Sequence, residues 1–370
     1  MAVRGWGGSV AAAIGVAAGA GAAQLGLGYG LGIIVWLPAA DRAGEAAWAA
    51  SLAWAAWIAA TSTVAGAIGA QRLGAAQRAA DADDDALDTD VPDTTTALWR
   101  LSLAVASAVG ALVTVALIAV PARAAERADT FSPQTIAAGY AVLGVLVGLV
   151  IAVWSTSSAP VAANVIATIC WLWLLAVIAV IGGVVSGDGL GTAQLGVWQI
   201  TGDPERFWFR DYIYWPGAAL ALGSAYIIGA FSARVAARDP GRRVGAAVSG
   251  VAGPLVVAVA YFLAAPRLVG IRPEQLSAHL LAPYAVLAGL AGSVTVTALA
   301  QRAERPRPAL PAQREDEFDE APYGPESEEA PEPTGWRARR RGRRAAKQED
   351  EQTQPRGFVD IDSDEHETAR

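Results

Sequence analysis

Eight long apolar stretches constrain the fold of this chain more than any other feature of its sequence. Crossing a hydrocarbon core of about 30 Å takes roughly 20 apolar residues, because each residue of an α-helix contributes a rise of about 1.5 Å. The stretches that reach this length lie at residues 9–37, 46–70, 98–120, 135–155, 160–185, 217–236, 245–265 and 280–300. The sequence therefore predicts an all-α integral membrane protein with about eight transmembrane helices.

Charged residues make up only 17% of the chain and concentrate outside these stretches. The acidic residues lie mainly in 81–93 and 315–367, so the formal net charge of -7 describes extramembrane segments and predicts no partner. The basic residues are nearly all arginine, and Ala and Gly are abundant, which is typical of a GC-rich bacterial genome. We expect a multi-pass protein of a bacterial cytoplasmic membrane.

The arginines of the short connections predict how the chain is oriented. The loops after the even-numbered spans are richer in arginine than the loops after the odd-numbered ones. The arginines on the first side are Arg72, Arg78, Arg100, Arg234, Arg238, Arg242, Arg243, Arg302, Arg305 and Arg307. Both termini are therefore predicted to be cytoplasmic, which places the loop at 186–216 on the outer face and the acidic loop at 73–97 on the inner face.

Two similar segments indicate an internal repeat. Residues 140–148 read YAVLGVLVG and residues 284–292 read YAVLAGLAG, and the preceding helices match at nearly the same offset through Gly110 and Gly253. Chance recurrence of Ala, Val, Leu and Gly is the alternative explanation. A duplicated four-helix unit has an even number of spans, so its two copies would be parallel and related by an axis along the membrane normal. Small residues four apart predict that the fourth and eighth helices pack at equivalent seams.

The sequence accordingly divides into three parts. Residues 1–155 form a first transmembrane half of about four helices, and residues 156–300 form a second half of the same kind. Residues 301–370 are polar and rich in proline, which predicts a disordered, charged cytoplasmic tail.

Residues that support catalysis or metal binding are scarce. Cys170 is the single cysteine, and the two histidines, His279 and His366, are far apart in sequence. The aspartates of 81–90 suit a hard divalent cation, but a solvated acidic linker is the better explanation because no glycine turn or closing glutamate organises them. We therefore expect no catalytic residue, no metal and no cofactor.

The loop at 186–216 carries the most distinctive local motif, PERFWFRDYIYWPG at 204–217. Asp203 and Pro204 predict the start of a helix in this motif, with Trp208, Tyr212 and Trp215 on one face. Such an aromatic helix is typical of the headgroup region of a membrane. The functional alternative is an outer-face site for a lipid phosphate or a glycan. Its candidate contacts are Arg206, Trp208, Arg210, Tyr212 and Trp215.

Two further groups of polar residues are candidate contacts. Gln24 and Asn164 lie within spans, where a hydrogen bond between helices is the more frequent role and a substrate contact the alternative. The tail contains a cationic cluster that can hold anionic lipid, with pairing to nearby acidic residues as the alternative and nucleic acid as the least favoured partner. Its members are Arg337, Arg339, Arg340, Arg341, Arg343 and Arg344.

These observations favour a non-catalytic scaffold or accessory subunit of an envelope process, which contacts membrane lipids and engages partners through its tail and its outer aromatic loop. The alternative is a transporter or lipid-handling protein. Its pathway would be the interface between the two halves, with the loop at 198–215 as a gate, and a polar cavity would reach Gln24 or Asn164. A scaffold would have closely packed halves.

Overall fold

The structure is a computed structural model of a helical bundle. It describes residues 6–38, 42–81, 93–127, 131–187, 193–196, 207–208, 212–264 and 273–304. Its helices are α1 (Trp6–Gly30), α2 (Arg42–Asp81), α3 (Asp93–Ala119), α4 (Pro133–Ser157), α5 (Ala159–Val185), α6 (Trp215–Ala233), α7 (Arg243–Val248), α8 (Ala252–Ala264) and α9 (Pro273–Glu304). Two short strands, β1 (Phe207–Trp208) and β2 (Ile213–Tyr214), precede α6.

Eight helical segments in the described ranges are long and apolar enough to cross a membrane, which confirms the predicted number of spans. Six of them correspond to a single helix each, and the third, Ala97–Ala125, consists of α3 followed by a 3-10 turn at Pro121–Ala125. The seventh span, Pro240–Ala264, contains α7 and α8, which are separated by a 3-10 turn at Ser249–Val251. An apolar stretch alone predicts a continuous helix here, so this break is a departure from the sequence prediction.

The first span ends earlier than the apolar stretch predicts. Helix α1 stops at Gly30, and Gly32 has a φ of 66°, a left-handed conformation that glycine adopts without steric cost. The amide of Ile33 donates to the carbonyl of Gly28 at 2.8 Å. Residues 33 and 34 are buried although they lie outside the helix, because the chain folds back against α2. The Oγ of Ser51 accepts from the amide of Val35 and donates to its carbonyl.

Helix α2 is the centre of the core. It is apolar on all sides, a pattern that indicates burial all round, and it packs against α1, α3, α4 and α8. Three of its tryptophans, Trp48, Trp54 and Trp57, are fully buried. The indole rings of Trp54 and Trp57 meet edge to face with centroids 5.3 Å apart, and Trp173 of α5 lies against both. The halves of the sequence therefore touch through these aromatic side chains.

Glycines bring several helix pairs into backbone contact. A Cβ built on Gly144 or Gly148 of α4 would collide with the backbone of α2, at Ala56 and Ala60 respectively. A Cβ on Gly292 of α9 would collide with the carbonyl of Tyr226 on α6. The fourth span thus packs against the second, and the eighth against the sixth, at glycines that match in sequence.

The third and seventh spans pack in a comparable way. A Cβ on Gly110 of α3 would collide with the backbone of Ile14 on α1, and a Cβ on Gly253 of α8 would collide with the side chain of Thr168 on α5. Spans three and seven therefore use matched glycines to approach spans one and five.

Candidate functional site

The predicted helix in the motif at 204–217 is wrong for the residues that the structure describes. Strands β1 and β2 pair antiparallel there, with Phe207 opposite Tyr214 and Trp208 opposite Ile213. Helix α6 begins only at Trp215, where Pro216 occupies the first turn. The backbone groups of β1 and β2 pair with each other and not within a helix. The spacing of the aromatic residues is compatible with both arrangements, so it does not distinguish a pair of strands from a helix.

The structure places the five predicted loop contacts only in part. Arg206 and Arg210 lie outside the described residues, and Trp208 is described as a residue of β1 without its side chain. The side chains of Tyr212 and Trp215 are exposed. The six tail arginines, Arg337, Arg339, Arg340, Arg341, Arg343 and Arg344, also lie outside the described residues.

Gln24 links three helices through hydrogen bonds. Its Nε2 donates to the Oγ of Ser62 at 3.3 Å, and its Oε1 accepts from the Oγ1 of Thr61 at 3.1 Å. The same oxygen accepts from the Nε1 of Trp173 at 3.0 Å. Because α1, α2 and α5 each contribute to this cluster, Gln24 has the interhelical role that is the more frequent one for such a residue.

Asn164 is fully buried and stabilises the break in the seventh span. Its Oδ1 accepts from the amide of Gly253 at 2.8 Å, which is one of the first amides of α8 and has no partner within that helix. Its Nδ2 donates to the Oγ of Ser232 on α6 at 3.4 Å. Asn164 therefore connects spans five, six and seven.

Ser293 of α9 supports the other side of the same break. Its Oγ accepts from the amide of Gly250 at 3.3 Å and lies 2.5 Å from the carbonyl of Ala247, to which it donates. Non-helical backbone at membrane depth is tolerated only where such groups are satisfied by protein or water. Side chains of Asn164 and Ser293 satisfy the amides of Gly250 and Gly253 and the carbonyl of Ala247 at the break.

A short part of the 186–216 loop enters the bundle. Residues Ala193, Gln194 and Leu195 are buried. The Nε1 of Trp54 on α2 donates to the carbonyl of Ala193 at 2.8 Å, and the hydroxyl of Tyr261 on α8 donates to the carbonyl of Leu195. We call residues 193–196 the inserted segment. It is held by one helix from each half of the sequence.

A cavity lies beneath the inserted segment and is lined by α5, α6, α8 and α9. The volume of the cavity is about 70 Å³. A water molecule takes about 10–15 Å³ of such a volume, so the cavity holds about five to seven groups of the size of a water molecule or a methylene. Small side chains on two of these helices create the space. They are Gly217, Ala221 and Ala225 of α6 and Ala278, Ala282 and Ala285 of α9.

The cavity extends along the helices and not across them. Its lining on α6 runs from Gly217 to Ile228, a distance of roughly 16 Å at 1.5 Å per residue. Leu195, Gly196 and Tyr214 form its roof, and Thr168 and Pro254 lie at the opposite end. It is a narrow, elongated space.

The lining is apolar, and its hydroxyl groups are engaged with the protein. Thr168 donates to the carbonyl of Asn164 at 2.8 Å, and Ser224 donates to that of Ala221 at 3.2 Å. The Oγ of Ser277 accepts from the amide of Tyr214 at 2.9 Å. The hydroxyl of Tyr261 donates to the inserted segment, so the hydroxyls of Thr168, Ser224 and Tyr261 have used their hydrogens on the protein and retain only acceptor capacity. The described lining also includes no charged side chain.

The cavity does not correspond to the pathway that the sequence suggests. It lies within the second half and not between the halves, and neither Gln24 nor Asn164 lines it. The residues that do line it are ordinary members of apolar helices, so composition does not single them out. The recurrence of Gly and Ala at positions 217, 221 and 225 is the one sequence signal that could have indicated a space beside α6.

A second polar cluster joins α2 to the chain after α3. The Nη2 of Arg127 lies 2.9 Å from Glu45 Oε1, and the guanidinium stands 4.9 Å from the ring centroid of Trp48. The side chain of Arg127 is 7% exposed and that of Glu45 is 35% exposed. An arginine that is paired and stacked in this way fixes two helices together.

In the part of the chain that the structure describes, no three His, Cys, Asp or Glu side chains are grouped so that they could hold a metal ion. Comparison with known proteins gives no match: no family model, curated protein or solved structure is similar to this chain at a level that would indicate a common family.

Proposed function

We propose that this chain is a non-catalytic lipid-handling protein of a bacterial cytoplasmic membrane, which binds the hydrocarbon chain of a lipid in the cavity of its second half. The observation that carries the proposal is the shape and chemistry of that cavity. It is narrow, apolar and lined by helices that are apolar enough to be surrounded by lipid. A hydrocarbon chain needs no hydrogen-bond partner, so it is compatible with an apolar lining. Because the chain is already out of water in the bilayer, its binding depends on how well it packs in the cavity.

The arrangement around the cavity also favours a chain over a sugar. Burying a hydroxyl without a hydrogen bond costs about 1–3 kcal/mol, and the hydroxyls of the lining are already engaged with protein groups. A glycan in this space would leave several of its own hydroxyls unsatisfied. The lipid alternative is therefore preferred to the glycan alternative.

In this proposal both termini are cytoplasmic, so the inserted segment and the cavity roof lie on the outer side of the membrane. The arginine distribution supports this orientation. The two halves are copies of one four-helix unit. This is supported by glycines at matching positions, which make comparable helix contacts in spans three and four of the first half and in spans seven and eight of the second.

The experiment is native mass spectrometry of the protein released from lipid discs, with one variant that fills the cavity and one matched control. Ala221→Leu adds three carbon atoms to a wall residue of α6, whereas Ala219→Leu makes the same change at an exposed position on the same helix. We expect one lipid to stay bound to the wild type and to Ala219→Leu. Loss of that lipid only in Ala221→Leu supports the proposal, and equal retention by all three proteins contradicts it.

The scaffold or accessory subunit is a second candidate function. The close packing of α1, α2, α3 and α4, in which glycines meet helix backbones directly, favours it because a rigid unit of this kind suits a fixed framework. In this function the tail, 301–370, engages protein partners, and its arginine cluster holds anionic lipid at about 1 kcal/mol per residue. The test compares how many phosphatidylglycerol molecules stay bound to the full chain and to a chain that ends at 305. Equal numbers would contradict the role of the cluster.

A further inference from the structure

We infer that the end of α6 opposite the cavity roof binds an anionic phospholipid, whose phosphate lies between the guanidinium groups of Arg234 and Arg238. The site is separate from the cavity, because α6 begins beside the roof at Trp215 and its membrane span ends at Ala233. Arg234 is the first residue after that span, and a 3-10 turn, Ala236–Arg238, follows it. The inference therefore does not depend on a ligand in the cavity.

The segment that carries the two arginines has one face packed on the protein and one exposed face. Its packed face joins a small apolar cluster with α7 and α9 through Ala233, Ala236 and Ala237. The backbone keeps helical dihedral angles at Arg234 and Val235, so residues three and four apart lie on the same side. The residues of the exposed face are Phe231, Arg234, Val235 and Arg238.

In the part of the chain that the structure describes, neither Arg234 nor Arg238 is paired with a carboxylate. The two acidic residues of this region already have partners. Asp239 accepts from the Nε of Arg242 at 2.8 Å, and Glu304 pairs with Arg243. Two exposed positive charges are therefore left for an anion.

An exposed apolar row before the arginines favours a lipid over a soluble anion. Ile227 and Phe231 are exposed and lie within the span, and Val235 continues the row at the same spacing of four residues. The guanidinium of Arg234 stands 5.6 Å from the ring centroid of Phe231, which keeps the cation beside this row. An acyl chain can lie along the row while its phosphate contacts the arginines, whereas a soluble phosphate makes no use of it.

The two arginines lie at the level of the lipid headgroups. Four residues rise about 6–8 Å in an α-helix or a 3-10 helix, and the headgroup layer is roughly 5–8 Å thick on each side of the membrane. Arginine presents paired N–H donors that match phosphate oxygens. Because both arginines are positive, we expect a headgroup without a cation of its own, as in phosphatidylglycerol.

The test is photo-crosslinking of the full chain in detergent with a phosphatidylglycerol that carries a diazirine in one acyl chain. A diacylglycerol with the same chains, which lacks the phosphate, is the second probe. Label on Ile227, Phe231 and Val235 is quantified by mass spectrometry of the digested protein. We expect Arg234→Gln and Arg238→Gln each to lower the label from phosphatidylglycerol about tenfold, the effect of one hydrogen bond to a charged group. Label from the diacylglycerol should stay unchanged.

Arg72→Gln is the matched control. Arg72 is an exposed arginine near the end of α2, on the side of the membrane where the arginine distribution also places Arg234. No residue of 61–70 is exposed, so Arg72 has no apolar row before it. This variant removes the same charge, and we expect it to leave the label on α6 unchanged.

Each other outcome overturns the inference. Wild-type label in both Arg234→Gln and Arg238→Gln would mean that no lipid phosphate contacts these arginines, as when the acidic segment 315–332 of the same chain binds them. An equal loss in Arg72→Gln would mean that the lipid responds to overall charge and not to a site. Loss of label on addition of inorganic phosphate would show that the ligand is a soluble anion.

Discussion

The side-chain oxygen Oδ1 of Asn164 accepts a hydrogen bond from the amide of Gly253 at 2.8 Å, and this contact closes the break between α7 and α8. The bond connects the start of the fifth span to the middle of the seventh. Because Asn164 is fully buried, no water replaces this contact when it is lost.

Asn164→Ala is expected to lower the free energy of unfolding by about 1–3 kcal/mol, since it leaves the Gly253 amide buried without a partner. Thermal unfolding in detergent measures the effect. Thr295→Ala is the control, because Thr295 is only half-buried and its hydroxyl donates to the carbonyl of Ala291 in its own helix. Equal melting temperatures for the two variants would show that the hydrogen bond between Asn164 and the amide of Gly253 in α8 does not stabilise the protein.

Gly148→Ala is expected to weaken the contact between α4 and α2. Its new Cβ would stand 2.5 Å from the carbonyl oxygen of Ala60, so one of the helices must shift, at a cost of about 1–3 kcal/mol. Gly139→Ala on the same helix has no atom within 4 Å of the new Cβ and should leave stability unchanged or raise it slightly. Chemical denaturation of both variants measures the free energy of unfolding. An equal loss in the two variants would contradict a close contact between α4 and α2 at Gly148.

Glu45→Gln is expected to destabilise the protein by about 1–3 kcal/mol, because it leaves the buried guanidinium of Arg127 without its carboxylate. The matched control is Arg242→Ala, which breaks the exposed pair between Arg242 and Asp239. An exposed pair contributes at most about 1 kcal/mol. Both variants are compared by thermal unfolding at low and high salt. If Glu45→Gln lowers the melting temperature no more than the control does, or if high salt removes its effect, the ion pair between Glu45 and Arg127 is not a buried stabilising contact.

Trp54→Phe is expected to loosen the inserted segment, because the carbonyl of Ala193 loses its donor on α2. Hydrogen exchange of the amides at 193–196 should become about five times faster, which corresponds to one hydrogen bond. Tyr284→Phe, at an exposed hydroxyl on α9, serves as the control. Unchanged exchange in Trp54→Phe would mean that the segment is held by other contacts.

Much of the fold could be predicted from the sequence because the bilayer imposes a strict length rule on apolar helices. All eight predicted stretches contain a helical span in the structure. The break at Ser249–Val251 has a local signal in Gly250, Gly253 and Pro254, which a count of apolar residues does not weigh. Its stabilisation by Asn164 and Ser293 from other helices could not be predicted. After α1 ends at Gly30, the backbone of Val35 bonds to Ser51 of α2, a contact between helices that local composition does not indicate.

The candidate site was predictable only in outline. The length of the 186–216 loop indicated that this connection does more than join two spans, and the inserted segment agrees with that expectation. The position of the cavity follows from how small residues on α6 and α9 face each other across the second half. Such a juxtaposition is a property of three-dimensional packing, so neither periodicity nor composition could have located it.

The most direct test of the central claim is photo-crosslinking with a phospholipid that carries a diazirine at the end of one acyl chain, followed by mapping of the labelled residues. The account predicts label at the end of the cavity away from the roof, on residues such as Thr168 and Pro254, with loss of that label in Ala221→Leu and not in Ala219→Leu. Label confined to lipid-facing residues such as Val150 and Val185, and the same in both variants, would contradict it.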